Sequence, residues 1–157
     1  MAKKKIYKTF DPQVTSNMKI IALRGYSNSG KTTTLNKLYD ELVNNQGYVV
    51  HTPQQTLPGN DDFECILEND GQKVAIFTLG DYIYALGLAM GYYSALGVNT
   101  LVIADSNKKY YISNPLFNSR ELDKNYIVVS KNSGGSNPAQ QNIEDDNAIA
   151  NILKHLP

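Results

Sequence analysis

The stretch Ile20-Ile21-Ala22-Leu23-Arg24-Gly25-Tyr26-Ser27-Asn28-Ser29-Gly30-Lys31-Thr32-Thr33-Thr34-Leu35 decides how the rest of the chain is read. An apolar run enters it and a helix-forming run leaves it, so it reads as strand, loop and helix. Between the two, Gly25 to Thr32 follow the spacing G-x-x-x-x-G-K-[ST]. Glycines at both ends let the backbone curl until successive N–H groups face inward as an anion nest. A helix starting near Lys31 adds unpaired N–H groups and the positive end of its dipole. In that arrangement Lys31 meets the β- and γ-phosphates of a nucleotide, and the Thr32 hydroxyl is a ligand of Mg²⁺. The expected cofactor-binding set is Gly25, Tyr26, Ser27, Asn28, Ser29, Gly30, Lys31, Thr32 and Thr33, with Lys31 also catalytic. The bland alternative is a glycine-rich turn with an exposed lysine.

Working outward, 157 residues suit one domain spanning 1–157, with residues 1–16 a flexible tail or an edge strand at Ile6–Phe10. Lys plus Arg and Asp plus Glu are 15 each, so the formal net charge is zero. Such a balance offers no global field for nucleic acid or acidic membranes. The single cysteine, Cys65, rules out an intrachain disulfide and argues against a cysteine-based metal site. No leader pattern or spanning apolar run is read, and the expectation is a soluble cytoplasmic protein.

The crossover helix is expected over Thr32–Asn44, with Leu35, Leu38, Tyr39 and Leu42 inward and Gly47 ending it. Tyr48–His51 reads as a short second strand. Thr52–Asp62, with Pro53 and Leu57-Pro58-Gly59-Asn60, reads as a loop. Phe63–Glu68 and Lys73–Leu79 flank Asn69-Asp70-Gly71, a hairpin signature. The more apolar arm, Val74–Phe77, is expected in the centre beside the strand at Met18–Arg24, its partner nearer the edge. Asp81–Leu96 reads as a helix with Ile83, Leu86, Gly87, Met90 and Ser94 on one face. Strands at Thr100–Ile103 and Tyr126–Val129 follow, with a short helix opening at Asn114-Pro115. Asn137-Pro138 opens a terminal helix with Ile149, Ile152, Leu153 and Leu156 inward. The sum is an α/β domain of three layers, a mainly parallel five-stranded sheet with an added antiparallel hairpin strand.

Phosphoryl chemistry needs an acid for Mg²⁺ and cations for developing charge. Asp81, just beyond Val74–Leu79, is the first choice of acid for catalysis and metal, and is equally an N-cap of the next helix. Asp105, after Leu101–Ala104, is the second choice, and Thr78 faces the γ-phosphate side. Arg24 suits a salt bridge. Lys108, Lys109, Arg120 and Lys124 form a phosphate-clamping lid or a solvated surface. Ser130–Ser136 form a rim for the base or a flexible connection. His51 and His155 lack ligand-like company.

The loop and the strand–helix order resemble the P-loop NTPase superfamily across residues 18–130. The compact size and the basic segment before the last strand look like small nucleoside- or nucleotide-kinase-type members. The chain also resembles uncharacterised compact bacterial and phage P-loop proteins whose strand ends in Gly-Asp. Asp81 sits where that resemblance puts a Walker B acid. No Asn-Lys-x-Asp guanine reader is present, which favours ATP over GTP. The resemblance implies a Mg²⁺-dependent ATP-binding protein, an ATPase or small kinase acting on the γ-phosphate. The alternatives are a nucleotide-switched interaction protein working through Thr52–Asp62, and a binding protein that has lost the chemistry. The expected partner is the nucleoside triphosphate, with an acceptor or protein partner unspecified and neither membrane nor nucleic acid indicated.

Overall fold

The structure is a computed structural model that describes residues 18–25, 30–58, 61–79, 83–106, 125–131 and 137–157. Six strands form one mixed sheet: β1 (Lys19–Gly25), β2 (Val49–Thr56), β3 (Phe63–Asn69), β4 (Gln72–Phe77), β5 (Thr100–Ser106) and β6 (Tyr126–Ser130). The described helices are α1 (Lys31–Asn44), α2 (Ile83–Ala95) and α3 (Pro138–Leu153). The strand order is β2-β3-β4-β5-β1-β6. β1 runs parallel to both its neighbours, β5 and β6, and β5 runs parallel to β4. β3 is antiparallel to β4 and to β2, so it alone opposes the other five. This agrees with the sequence-based count of parallel and opposed strands.

Burial on both faces explains the near-continuous apolar runs of the central strands. Ile20 and Ala22 of β1, with Leu101 and Ile103 of β5, join Leu86, Ala89, Met90 and Tyr93 of α2 in one core. Ile21 and Leu23, with Val102 and Ala104, join Leu35, Leu38 and Leu42 of α1 and Ala148 and Ile152 of α3 in the other. Two helical layers therefore enclose the sheet. Each buried leucine contributes about 1.5–3 kcal/mol of burial free energy. The inner face of α2 runs through Ala89 and Tyr93 as well as Leu86 and Met90, while Ser94 is only half-buried. On β3, the buried Glu64 carboxylate is met by the Tyr93 hydroxyl. Cys65, the next residue, is buried in the core on the opposite face, and burial pushes its thiol up to about 12, which keeps it out of nucleophilic chemistry near neutral pH.

Asp70 and Gly71 have φ of 51° and 77°, the left-handed pair that closes a tight two-residue hairpin, as Asn69-Asp70-Gly71 foretold. Two expectations are corrected. The arm Val74–Phe77 is not beside β1, because β5 lies between them. Both β4 and β5 are apolar on both faces, so hydrophobicity cannot rank them for the central place. The second strand does not stop at His51 but continues through Pro53 to Thr56. β2 is an edge strand paired only with β3, and Pro53 falls within a register shift between Thr52 and Gln55. An edge position with a bulge removes the need for every N–H and so tolerates proline.

The N-terminal segment through Asn17, the loop centre Tyr26–Ser29, Gly80-Asp81, the helix expected at Asn114-Pro115 and Asn132–Ser136 lie outside the described residues. Among the described residues, no helix is long and apolar enough to cross a membrane.

Candidate functional site

The site stands at the carboxyl ends of β1, β4, β5 and β6, the edge where open α/β sheets receive ligands. β1 ends at Gly25 and α1 begins at Lys31, preceded by Gly30 in the left-handed region (φ 82°, ψ 25°). That conformation is strained for any residue with a Cβ, which gives Gly30 a physical requirement. α1 starts without a side-chain cap, whereas α3 starts with Asn137 Oδ1 accepting the Gln140 N–H at 2.8 Å.

Lys31 turns back over the sheet and is buried. Its Nζ donates to the Gly25 carbonyl at 2.6 Å and to the Asp105 carbonyl at 2.8 Å. These carbonyls end adjacent parallel strands, in register at Arg24↔Asp105 and Gly25↔Ser106. The sequence-chosen lysine is therefore fixed at the strand ends by main-chain oxygens.

Thr32 points toward the β3–β4 side, where its hydroxyl donates to Asp62 Oδ1 at 3.0 Å. The Thr78 hydroxyl, just past β4, donates to the same oxygen at 2.9 Å. Asp62 is held from behind by the Leu57 N–H on its carbonyl at 2.9 Å, and Leu57 is anchored in the core. Phe63 N–H donates to Thr78 Oγ1 at 2.9 Å, so the two strand ends register the three side chains. A cleft of about 1000 Å³ opens beside them, lined by Thr32, Thr33 and Asn36 of α1, residues 54–56 of β2, and Asp61, Asp62 and Phe63. Among the described residues its lining has two acids and no base.

Asp105 is not available to a metal in the way its position suggested. Its carboxylate is fully buried, with Arg24 Nε donating to Oδ1 at 3.0 Å and Nη2 to Oδ2 at 2.9 Å. Tyr126 donates its hydroxyl to Oδ2 at 2.9 Å as well. A two-pronged arginine pair of this kind is a structural clamp between β1 and β5, and Arg24 does form the expected salt bridge.

A further group went unread in the sequence. Asp145 of α3 is buried on the helix's inner face, among positions expected to be apolar. Its Oδ1 accepts the Thr34 hydroxyl at 2.7 Å and faces Lys131 Nζ at 3.2 Å, while Oδ2 accepts Lys37 Nζ at 2.7 Å. Burial pushes this carboxyl up, but the bonds from Lys37, Thr34 and Lys131 outweigh it and hold the pKa below the usual value of 3.8. A depressed folded pKa means the stabilisation is complete above the unfolded pKa and is lost as pH falls through the folded value. Acid unfolding followed by circular dichroism should therefore lose a contribution below about pH 4. Asp145→Asn should flatten that part of the curve; an unchanged acid limb would contradict the assignment.

Among the described residues, no group of three or more His, Cys, Asp or Glu is gathered for a metal ion. Asp81, Tyr26, Ser27, Asn28 and Ser29 of the expected set lie outside the described residues, as do Lys108, Lys109, Arg120 and Lys124. Of the others, Lys31 follows Gly30 and reaches the Gly25 carbonyl, while Thr32 and Thr33 line the cleft beside Asp62. Asp62 was missed because its only local signal was the acidic pair Asp61-Asp62 leading into β3. Compared with known proteins, the chain matches no family model, no curated protein and no solved structure.

Proposed function

We propose that this chain binds Mg·ATP at Gly25–Thr33 as a P-loop NTPase, an ATPase or small kinase that hydrolyses or transfers the γ-phosphate. The observation that carries the reading is Lys31, its ammonium fixed on the Gly25 and Asp105 carbonyls at the head of an uncapped helix opened by a left-handed glycine. A cation, a helix N-terminus and a glycine-shaped turn converge on one point, and a phosphate chain satisfies all three.

The oxygen donors beside it suit magnesium. Thr32 and Thr78 hydroxyls share one carboxylate oxygen of Asp62, a hard set with no nitrogen or sulfur. Mg²⁺ takes one or two carboxylates plus phosphates and keeps several waters, which this set permits. Thr32 and Asp62 would hold the ion, with Asp81 a further proposed ligand. When bound, the ion would neutralise charge developing on the phosphates. Lys31 binds and orients the same phosphates, and Thr78 keeps the Asp62 carboxylate facing Thr32. The acid-lined cleft next to them favours water or an uncharged acceptor over a second anion.

The deciding experiment is a thermal-shift screen with Mg²⁺ and ATP, GTP, ADP or GDP. A ligand that binds the folded state raises the melting temperature by mass action. Stabilisation by ATP above GTP is expected, and no shift with any of the four would overturn the reading. Asp62→Ala should cut Mg²⁺-dependent turnover about 100-fold, a typical loss for one preorganised electrostatic group. Binding of ATP without metal should change little. If Asp81→Ala gives that loss and Asp62→Ala does not, the magnesium acid is Asp81.

The Thr32–Asp62 bond also favours a second reading, a nucleotide-switched interaction protein. It ties the segment after β2 to the first turn of α1, so a magnesium ion drawn to Thr32 would exchange that bond for its own. Equal hydrogen exchange over residues 52–62 with ADP and with a non-hydrolysable triphosphate would rule this out.

A further inference from the structure

Lys131 follows β6, and its N–H donates to the Arg24 carbonyl at 2.8 Å, extending the β1–β6 ladder by one residue. The side chain turns inward and is only 2% exposed. Its Nζ lies 3.8 Å from where a Cβ on Gly30 would stand, so it sits against the last glycine of the loop. It approaches from the β6 side of β1, opposite the Asp62 and Thr78 side.

An ammonium has three N–H donors. Asp145 Oδ1, at 3.2 Å, is the one acceptor Lys131 has among the described residues. That is long for a charge-assisted bond, and the same carboxylate is already held at 2.7 Å by Lys37 and at 2.7 Å by Thr34. Two ammonium groups therefore share one carboxylate. Lys37 is 38% exposed and also donates to Asn142 Oδ1 at 3.0 Å, so water and that amide serve its charge, whereas the buried Lys131 ammonium has, among the described residues, a share of Asp145 alone. Thr34 joins the cluster to the loop, since its Oγ1 also lies 3.0 Å from the Gly30 carbonyl oxygen.

We propose that Lys131 is a second phosphate-binding lysine, standing at Gly30 before the first turn of α1, and that Asp145 of α3 is the counter-ion with which a bound phosphate competes for it. The inference rests on the nucleotide-binding reading and extends it. A polyphosphate at Gly30 and the head of α1 supplies acceptors for the other Lys131 donors, while Asp145 keeps Lys37 and Thr34. The terminal helix thereby becomes part of the binding site, although its own N-terminus is capped elsewhere by Asn137.

The test is titration calorimetry of the full chain with two probes, Mg·ATP and magnesium tripolyphosphate. Lys131→Met should weaken both by about 10-fold or more, the worth of one charge-assisted hydrogen bond. Lys131→Arg should stay near wild type. Asp145→Asn should melt lower without ligand yet bind both probes at least as tightly, because the lysine loses its competitor. Wild-type affinity in Lys131→Met overturns the proposal, as does a loss confined to Mg·ATP, which would put Lys131 on the nucleoside. If Lys131→Met does not fold, Asp145→Asn decides, and weaker binding there marks a purely structural cluster. Wild-type protein that binds neither probe overturns the nucleotide reading itself, a result distinct from failure of Lys131 alone.

Discussion

Lys31→Ala is expected to weaken Mg·ATP binding about 100-fold or more and to bring γ-phosphate release to background. Hydrogen bonds to a charged group contribute about 1.5–3 kcal/mol each, and an ammonium between two phosphates makes more than one. The unliganded fold should survive, since the Gly25 and Asp105 carbonyls that the lost side chain leaves stand at the open end of the sheet, where water can resatisfy them. Calorimetric titration with a parallel melting curve separates the two effects. The ligand-induced rise in melting temperature should vanish while the unliganded melting temperature moves by a few degrees. Unchanged affinity would mean that Lys31 is a structural lysine bridging two strand ends.

The second large effect concerns Arg24 and Asp105. Their side chains are 14% and 0% exposed, and the pair is two-pronged. Removing one partner of such a pair leaves a buried charge, which typically destabilises by about 3–5 kcal/mol. Arg24→Met should therefore lower the melting temperature by about 10 °C, given the usual 2–4 °C per kcal/mol for a chain of this size. Arg24→Met with Asp105→Leu should recover much of the loss, because an apolar pair leaves no orphaned charge. A melting temperature unmoved by Arg24→Met, with Mg²⁺ dependence altered in Asp105→Asn, would instead return Asp105 to the role of a magnesium acid.

The contrast between Asp105 and Asp62 shows where reading residues in order reaches its end. Asp105 stands at the end of an apolar strand, the ordinary place for a metal-holding acid. Nothing local says that Arg24, 81 positions earlier, will take both of its oxygens. Asp62 stands in a polar stretch that looks like connecting loop, yet it meets a threonine 30 positions away and another 16 positions away. Asp145 is further still, 111 positions from Thr34, inside a helix whose stripe reads as apolar. Strand neighbours obey the same rule. Val74–Phe77 and Leu101–Ala104 are equally apolar, and only the packed sheet puts β5 beside β1.

What the sequence determined by itself was local: a strand at Ile20–Arg24, a glycine at position 30 where a helix begins, a hairpin at Asp70-Gly71, and helices with apolar stripes. Each follows from backbone conformation and periodicity within a few residues, which a chain read in order contains in full. Only the tertiary structure decided which acid faces Thr32, which acid Arg24 neutralises, and that Lys131 stands against Gly30 with its ammonium on Asp145. Those are pairings between distant positions. They depend on strand order, register and the burial of charge, quantities that exist only once the sheet has formed.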